Sequence, residues 1–271
     1  MTSTVLYENS SDIRDLEGKV VVVTGATGGL GAAMARSFAA AGARLVLTGR
    51  NADAGNTLVR SLSEEGAQAW FCPGDLREVA TIENIRSLVV EHLEGRIDVV
   101  VLNAGVISFG PLTDMTTEQY DDMMNVNVRA PWMCIRELHS LIADGGSVLV
   151  TSSVSAFTYF PGEGVYCMTK AAVSQMVRSL AVELGSRGIR VNAICPGVID
   201  EAGMSHDAFA DTDDPEAESR NAAAISPLRR NGQPHDVSRA AVYLASDASA
   251  FITGSSLVID GGVSIPRLIP T

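Results

Sequence analysis

The chain has 271 residues, 46% of them hydrophobic and 19% charged, which suits one large α/β domain around a single core. Its formal net charge is −12 and no run of Lys and Arg occurs, which argues against nucleic acid and anionic membrane as partners. No stretch approaches the roughly 18 consecutive apolar residues of a membrane span, and residues 1–17 read as a polar N-terminal extension without a signal-peptide core, so a cytoplasmic location is expected.

In chain order, seven short β-branched runs alternate with helical patterns, at residues 19–24, 44–48, 68–72, 98–102, 147–151, 190–194 and 256–260. A run such as Val20-Val21-Val22-Val23 has no polar alternation, so both faces of its sheet must be covered, as in a parallel sheet flanked by helices. The expected fold is α/β: a Rossmann-like, doubly wound, seven-stranded parallel sheet with helices on both faces, as a single domain over residues 18–262. In such folds ligands bind beyond the carboxyl ends of the strands.

After the first run comes Thr24-Gly25-Ala26-Thr27-Gly28-Gly29-Leu30-Gly31, then a helical pattern through Ala41. Glycines at a strand-to-helix turn let backbone amides approach a pyrophosphate, and a helix N-terminus adds partial positive charge. The spacing is not the common G-x-G-x-x-G, and by itself the segment reads equally as a tight turn.

Residues 164–184 read as a helix closed by Gly185, with apolar Val165, Ala172, Val173, Met176, Val177, Leu180 and Leu184. Tyr166 and Lys170 are one turn apart on it and share a face. Lysine occurs only twice, against eighteen arginines, so a lysine here suggests a chemical reason. A phenol must be tuned to work as an acid or base near neutrality, and a unit charge at roughly 4 Å supplies the about 4 kcal/mol that about three pKa units require. On spacing alone the two could also be an ordinary surface pair.

The stretch 200–227 is the least regular and rich in acid (Asp207, Asp211, Asp213, Asp214, Glu216, Glu218). Because it directly follows the sixth run, it is expected as a lid over the site rather than a solvated loop. Cys72, Cys134, Cys167 and Cys195 lie far apart in apolar settings and read as core residues. His92, His139, His206 and His235 form no ligand pair, and no metal site is expected.

Taken together, T-G-x-x-x-G-x-G at residues 24–31, N-A-G at Asn103-Ala104-Gly105 and Y-x-x-x-K at Tyr166 and Lys170 resemble the short-chain dehydrogenase/reductases. Asn127, Ser153 thirteen residues before Tyr166, Pro196-Gly197 and Asp260-Gly261-Gly262 follow the same order, so the similarity runs from about Lys19 to Gly262. The resemblance implies that Tyr166 exchanges a proton with a carbonyl oxygen as hydride arrives from a nicotinamide, and that Ser153 hydrogen-bonds the same oxygen. Lys170 would tune Tyr166 and bind the nicotinamide ribose, and Asn127 would hold a relay water. It also implies a cofactor cradle of Gly25, Thr27, Gly28, Gly29, Leu30 and Gly31, with Asp75 and Leu76 at the adenine. Asn103, Ala104, Gly105, Tyr166 and Lys170 would contact the cofactor further along, and Pro196, Gly197 and Ile199 would lie beside the nicotinamide.

Two positions depart from the pattern: Leu102 stands where an Asn is frequent, and Glu201 where many relatives carry a Thr that bonds the carboxamide. At the end of the second run, Gly49 takes the place where an NAD enzyme of this type puts an acid, and Arg50 offers a guanidinium for a 2′-phosphate. NADP(H) is therefore the expected cofactor, with NAD(H) possible.

The expected function is an NADP-dependent oxidoreductase of a small ketone and secondary-alcohol pair. One alternative is a 3-oxoacyl-thioester reductase acting on a carrier protein, disfavoured because the 141–146 loop offers only Asp144 where such reductases place basic residues. A second is a catalytically silent nucleotide-binding protein, disfavoured by the complete set of four polar residues. Phe109, Phe157, Tyr159, Phe160, Met204 and Phe209 are candidates for an apolar substrate pocket. By resemblance a homotetramer is expected, and the apolar tail 263–271 is expected to pack on a neighbouring subunit.

Overall fold

The computed structural model describes residues 15–200, Met204 and 214–265. Its strands are β1 (Val20–Thr24), β2 (Arg44–Gly49), β3 (Ala69–Pro73), β4 (Ile97–Leu102), β5 (Ile142–Thr151), β6 (Arg190–Pro196) and β7 (Ser256–Ile259). All pairings are parallel, in the order β3-β2-β1-β4-β5-β6-β7. The chain runs outward from β1 in one direction and from β4 in the other, so the topological switch lies between these two strands.

There are eight helices among the described residues: α1 (Gly29–Ala40), α2 (Ala52–Glu64), α3 (Val79–His92), α4 (Thr117–Met124), α5 (Ala130–Leu138), α6 (Gly164–Leu184), α7 (Pro215–Ile225) and α8 (Pro234–Ala245). Successive strand residues point to opposite faces, and β1 divides accordingly. Val20 and Val22 join the core made with Ile82, Ile85 and Val89 of α3, Met133 of α5 and Val173 and Val177 of α6. Val21 and Val23 join the other core, with Met34 and Phe38 of α1, Leu58 and Leu62 of α2 and Val237 and Leu244 of α8. Two dry layers explain why the runs carry no polar alternation.

The expected strands are all present, with shifts at their ends. β5 begins at Ile142 rather than 147, because Ile142 pairs with Ile97 before an irregularity that resumes the register at Val99 and Ser147. The 141–146 loop therefore sits at the amino ends of the strands, and Asp144 is paired there with Arg187 at 2.8 Å. That end is opposite the site described below, so the loop's acidity does not bear on docking at this chain's own site.

Part of the stretch expected to be least regular is the helix α7. Its start is defined by Asp214, whose carboxylate accepts the Ala217 N–H at 2.9 Å, followed by Pro215 in the first turn. Glu201, Phe209, Asp207, Asp211, Asp213, His206, residues 1–14 and the tail beyond Ile265 lie outside the described residues. Cys72, Cys134 and Cys195 are buried and Cys167 is half-buried, and all four are free thiols. Among the described residues no helix is long and apolar enough to cross a membrane.

Candidate active site

A cavity of about 330 Å³ opens at the carboxyl ends of β1, β2, β3 and β4, at the switch point. One wall is the β1–α1 turn, with Gly25, Thr27, Gly28, Gly29, Leu30 and Gly31. α1 starts with Gly28 as its cap residue, without a side-chain cap and without an acid in its first turn. Its first amides are therefore left for a ligand, and the helix dipole favours an anion there. A Cβ on Gly31 would come within 2.0 Å of the Gly25 carbonyl oxygen, so this glycine permits the tight turn, whereas Gly28 faces open space.

Arg50, Asp75 and Leu76 line the second side of the cavity, and Asn103, Ala104 and Gly105 the third. The Asp75 carboxylate accepts both the backbone N–H and the guanidinium of Arg77, and Arg77 reaches on to Asp122 at 2.6 Å. The Arg77 hydrogen bond, outweighing partial burial and aided by the charge of Arg50, holds the Asp75 carboxyl below its ordinary value. Asn103 is committed to the frame: its amide nitrogen donates to the Thr24 and Gly25 carbonyls, and its oxygen accepts from Thr151 Oγ1 at 3.1 Å. It ties together the ends of β1, β4 and β5 and so fixes the cavity floor.

The four polar residues expected to act together lie beyond the third side. Asn127 belongs to a π-helical turn over Asn125–Arg129 between α4 and α5, a distortion that recurs at functional sites. Its side chain is locked reciprocally to the Val106 backbone, accepting from N and donating to O, each at 2.8 Å, and it donates to Thr169 Oγ1 at 3.1 Å. Its amide thus has no spare donor among the described contacts. A Cβ on Gly105 would lie 3.4 Å from Asn127 Oδ1, 3.6 Å from Lys170 Nζ and 3.7 Å from Met204 Cε, so the cavity borders directly on Asn127 and Lys170.

α6 carries Tyr166 and Lys170, both buried. Lys170 Nζ donates to the Thr151 carbonyl at 2.9 Å and stands 5.3 Å from the centroid of the Tyr166 ring. Burial depresses the Lys170 ammonium to about 8. The expected lowering of Tyr166 by Lys170 is absent. Burial, and then the charge of Glu163, hold the phenol well above its ordinary value, with only the Ser153 hydrogen bond pulling the other way. The ammonium sits over the ring face and is itself desolvated, so in the free chain burial dominates and Tyr166 stays protonated.

Ser153 lies two residues past the end of β5, at the start of a short helical turn, where its Oγ accepts the Ser155 N–H at 3.1 Å. Apolar residues close the space around Tyr166: Met123 and Val165 are buried beside it, with Val106, Ile107, Met115 and Met204 packed against them. Of the aromatic and Met candidates from sequence that are among the described residues, only Met204 belongs to this wall. Phe109, Phe157 and Tyr159 are exposed, and Phe160 is half-buried but outside the wall.

The expected cofactor contacts at Pro196, Gly197 and Ile199 do not line the cavity. Pro196 is buried in β6, a Cβ on Gly197 would come within 2.8 Å of Asp260 Cβ, and Ile199 is buried in a core and bridges to Gly232. These residues pack the end of the sheet. Gly49, Asn51, Gly74, Val106, Val126 and Thr151 line the cavity without having been singled out as contacts. Their common signal is position: nearly all follow the end of a strand by no more than a few residues.

The chain matches the family described as enoyl-(acyl carrier protein) reductase over residues 25–264. It is 37% identical over 260 residues to the oxidoreductase UcpA of Salmonella typhimurium, covering 94% of this chain and 97% of the relative. It is 35% identical over 261 residues to the versicolorin reductase stcU of Emericella nidulans, covering 94% and 98%. The solved structure of a short-chain dehydrogenase/reductase from Serratia marcescens superposes with a TM-score of 0.84 at 30% identity, over 92% of this chain and 99% of that one.

Proposed function

The chain belongs to the short-chain dehydrogenase/reductase family, and we propose that it is an NADP(H)-dependent oxidoreductase that interconverts a ketone and a secondary alcohol, working as a carbonyl reductase. The observation that carries this reading is the placement of Tyr166, Lys170 and Ser153, all buried, behind the Gly105 side of a cavity whose β1–α1 turn offers uncapped helix amides. A phenol kept neutral is a proton donor, and a carbonyl oxygen that receives hydride at its carbon must take up a proton.

The residues fit a dinucleotide. Amides of Gly28 to Gly31 would bind its pyrophosphate, Asp75 and Leu76 its adenine, and Arg50 a 2′-phosphate. Bound there, the nicotinamide supplies the hydride. Tyr166 donates the proton to the substrate oxygen, Ser153 hydrogen-bonds that oxygen as charge develops on it, and Lys170 holds the ribose and the Tyr166 ring. Because the Asn127 amide is spent on Val106 and Thr169, a relay water next to Lys170 would be held by the Asn127 main-chain carbonyl.

The apolar wall of Val106, Ile107, Met115 and Met123 favours a largely apolar carbonyl compound, and we take it to be a small molecule free in solution, with a 3-oxoacyl thioester on a carrier protein as the alternative. Exposed Trp132 on α5, Met168 and Val182 on α6, and Val258 on the edge strand β7 support a homotetramer built through these elements. Four free cysteines fit a reducing, cytoplasmic setting. We take the domain to span residues 18–262, with 200–227 as a lid over the substrate. A panel of ketones and alcohols assayed with NADPH, NADH and their oxidised forms tests the reading. Turnover of a ketone with NADPH is expected, and inactivity toward every carbonyl with either cofactor would reject it.

A further inference from the structure

A row of hydrogen bonds leads away from Ser153 into the protein. Ser153 Oγ donates to Ser155 Oγ at 3.0 Å, and Ser155 Oγ donates to Glu163 Oε2 at 2.8 Å. Ser155 is buried in the short helical turn Val154–Ala156, and half-buried Glu163 occupies the N-cap position of α6 without a side-chain capping bond, three residues before Tyr166. The groups facing Glu163 are the Ser155 hydroxyl from that turn and Tyr166 and Cys167 from its own helix. Among the described residues it forms no ion pair with Arg, Lys or His.

An ionised carboxylate can only accept hydrogen bonds, whereas a hydroxyl has a single hydrogen to give. With Glu163 ionised, the Ser155 hydrogen is fixed on Glu163, and the Ser155 oxygen is left as an acceptor for the Ser153 hydrogen. Ser153 then gives its only hydrogen away from the cavity. With Glu163 protonated the row can reverse: Glu163 donates to Ser155, Ser155 donates to Ser153, and the Ser153 hydrogen is released toward the oxygen of a bound carbonyl. Only the proton on Glu163 is exchanged with solvent, and the two serine hydrogens merely turn.

We propose that Glu163 and Ser155 are positioning residues that set the direction in which Ser153 donates its hydrogen bond, so that protonation of Glu163 favours carbonyl reduction. This rests on the reading of Ser153 as the hydroxyl that contacts the substrate oxygen. Burial raises the Glu163 carboxyl above its ordinary range, against the opposing Ser155 hydrogen bond, which moves the switch toward working pH. Lys170, depressed to about 8, adds a separate alkaline step.

The test is the pH profile of kcat and KM for reduction of phenanthrenequinone or acetophenone by wild type, E163Q, S155A and S153A. Glutamine keeps the size and reach of Glu163 but does not titrate. In the wild type, kcat should fall about fivefold through the Glu163 titration, the rate equivalent of one net hydrogen bond, with KM for the cofactor unchanged. E163Q and S155A should lose this step and keep the alkaline one. A wild type without the step, or a step that persists in both E163Q and S155A, overturns the proposal. S153A at near wild-type rate overturns the reading beneath it, and is distinguished because the wild-type step is then unconnected to Ser153.

Discussion

The Lys170 ammonium stands over the Tyr166 ring, 5.3 Å from its centroid, while its hydrogen bond goes to the Thr151 carbonyl at 2.9 Å. The two side chains are one turn apart on α6 and are 2% and 7% exposed. A cation so placed lacks a carboxylate partner among the described contacts, and desolvation dominates its titration.

Lys170 should therefore cost stability while serving the reaction. Its folded pKa is depressed from 10.5 to about 8, so the unfolded chain binds more protons between those values and wild-type stability should rise with pH across that window. Lys170→Met should melt at or above the wild-type temperature at pH 7, lose that rise, and reduce ketones at least about 100-fold more slowly. Denaturant titrations at several pH values check this. A variant clearly less stable than wild type would mean that the Thr151 bond outweighs the burial cost.

Cofactor choice should depend on Arg50, with Thr27 limiting how it can be changed. Arg50→Ala should lower kcat/KM with NADPH by about tenfold or more while sparing NADH. A Cβ at Gly49 would come within 2.7 Å of Thr27 Oγ1 and 3.1 Å of Thr27 Cγ2. Gly49→Asp with Arg50→Val should therefore gain NADH activity far better when combined with Thr27→Ala, which removes both atoms. Steady-state kinetics with the two cofactors measures the ratio, and equal ratios for wild type and Arg50→Ala would refute the assignment.

At the amino end of the sheet, buried Asp98 accepts the Val20 N–H at 2.9 Å and the Arg96 guanidinium at 2.6 Å. Burial, the largest influence, opposes its ionisation, yet these bonds and Lys19 outweigh it and hold the carboxyl below 3.8. Its stabilisation is thus present above that value and lost as pH falls through the lower folded pKa. Asp98→Asn should cost about 2 kcal/mol at neutral pH, with the gap closing below pH 3.8 in chemical denaturation.

Light scattering in solution should give the mass of four chains, consistent with the exposed Trp132, Val182 and Val258 being covered. Trp132→Glu should shift assembly toward smaller species without altering the melt of the single chain. A wild type with the mass of one chain would contradict the assembly.

Much of this organisation is legible in the sequence where burial is two-sided or periodic. The β1 valines sit between two cores, and α6 runs over Gly164–Leu184 as its pattern predicts, because its Val165, Val173 and Val177 face the interior. α7 escapes such a reading because it buries no residue and therefore has no apolar period; only its Asp214-Pro215 start marks it. The Ser153–Ser155–Glu163 row is likewise invisible, since hydrogen bonds between a turn and a helix cap leave no periodic trace. The environment of Tyr166 is not legible in the sequence for a related reason. Spacing places Lys170 on the same face, but burial depth and the position of the ammonium over the ring decide the sign of the shift.

The central claim is that the Tyr166 hydroxyl delivers the proton. Stopped-flow reduction of phenanthrenequinone by NADPH, comparing wild type with Tyr166→Phe, tests it most directly, with NADPH binding followed by fluorescence in the same samples. The account predicts a Kd for NADPH within about threefold of wild type and a hydride-transfer rate lowered by about 1,000-fold or more. A Tyr166→Phe enzyme that binds NADPH normally and retains more than about a tenth of the wild-type rate would contradict it.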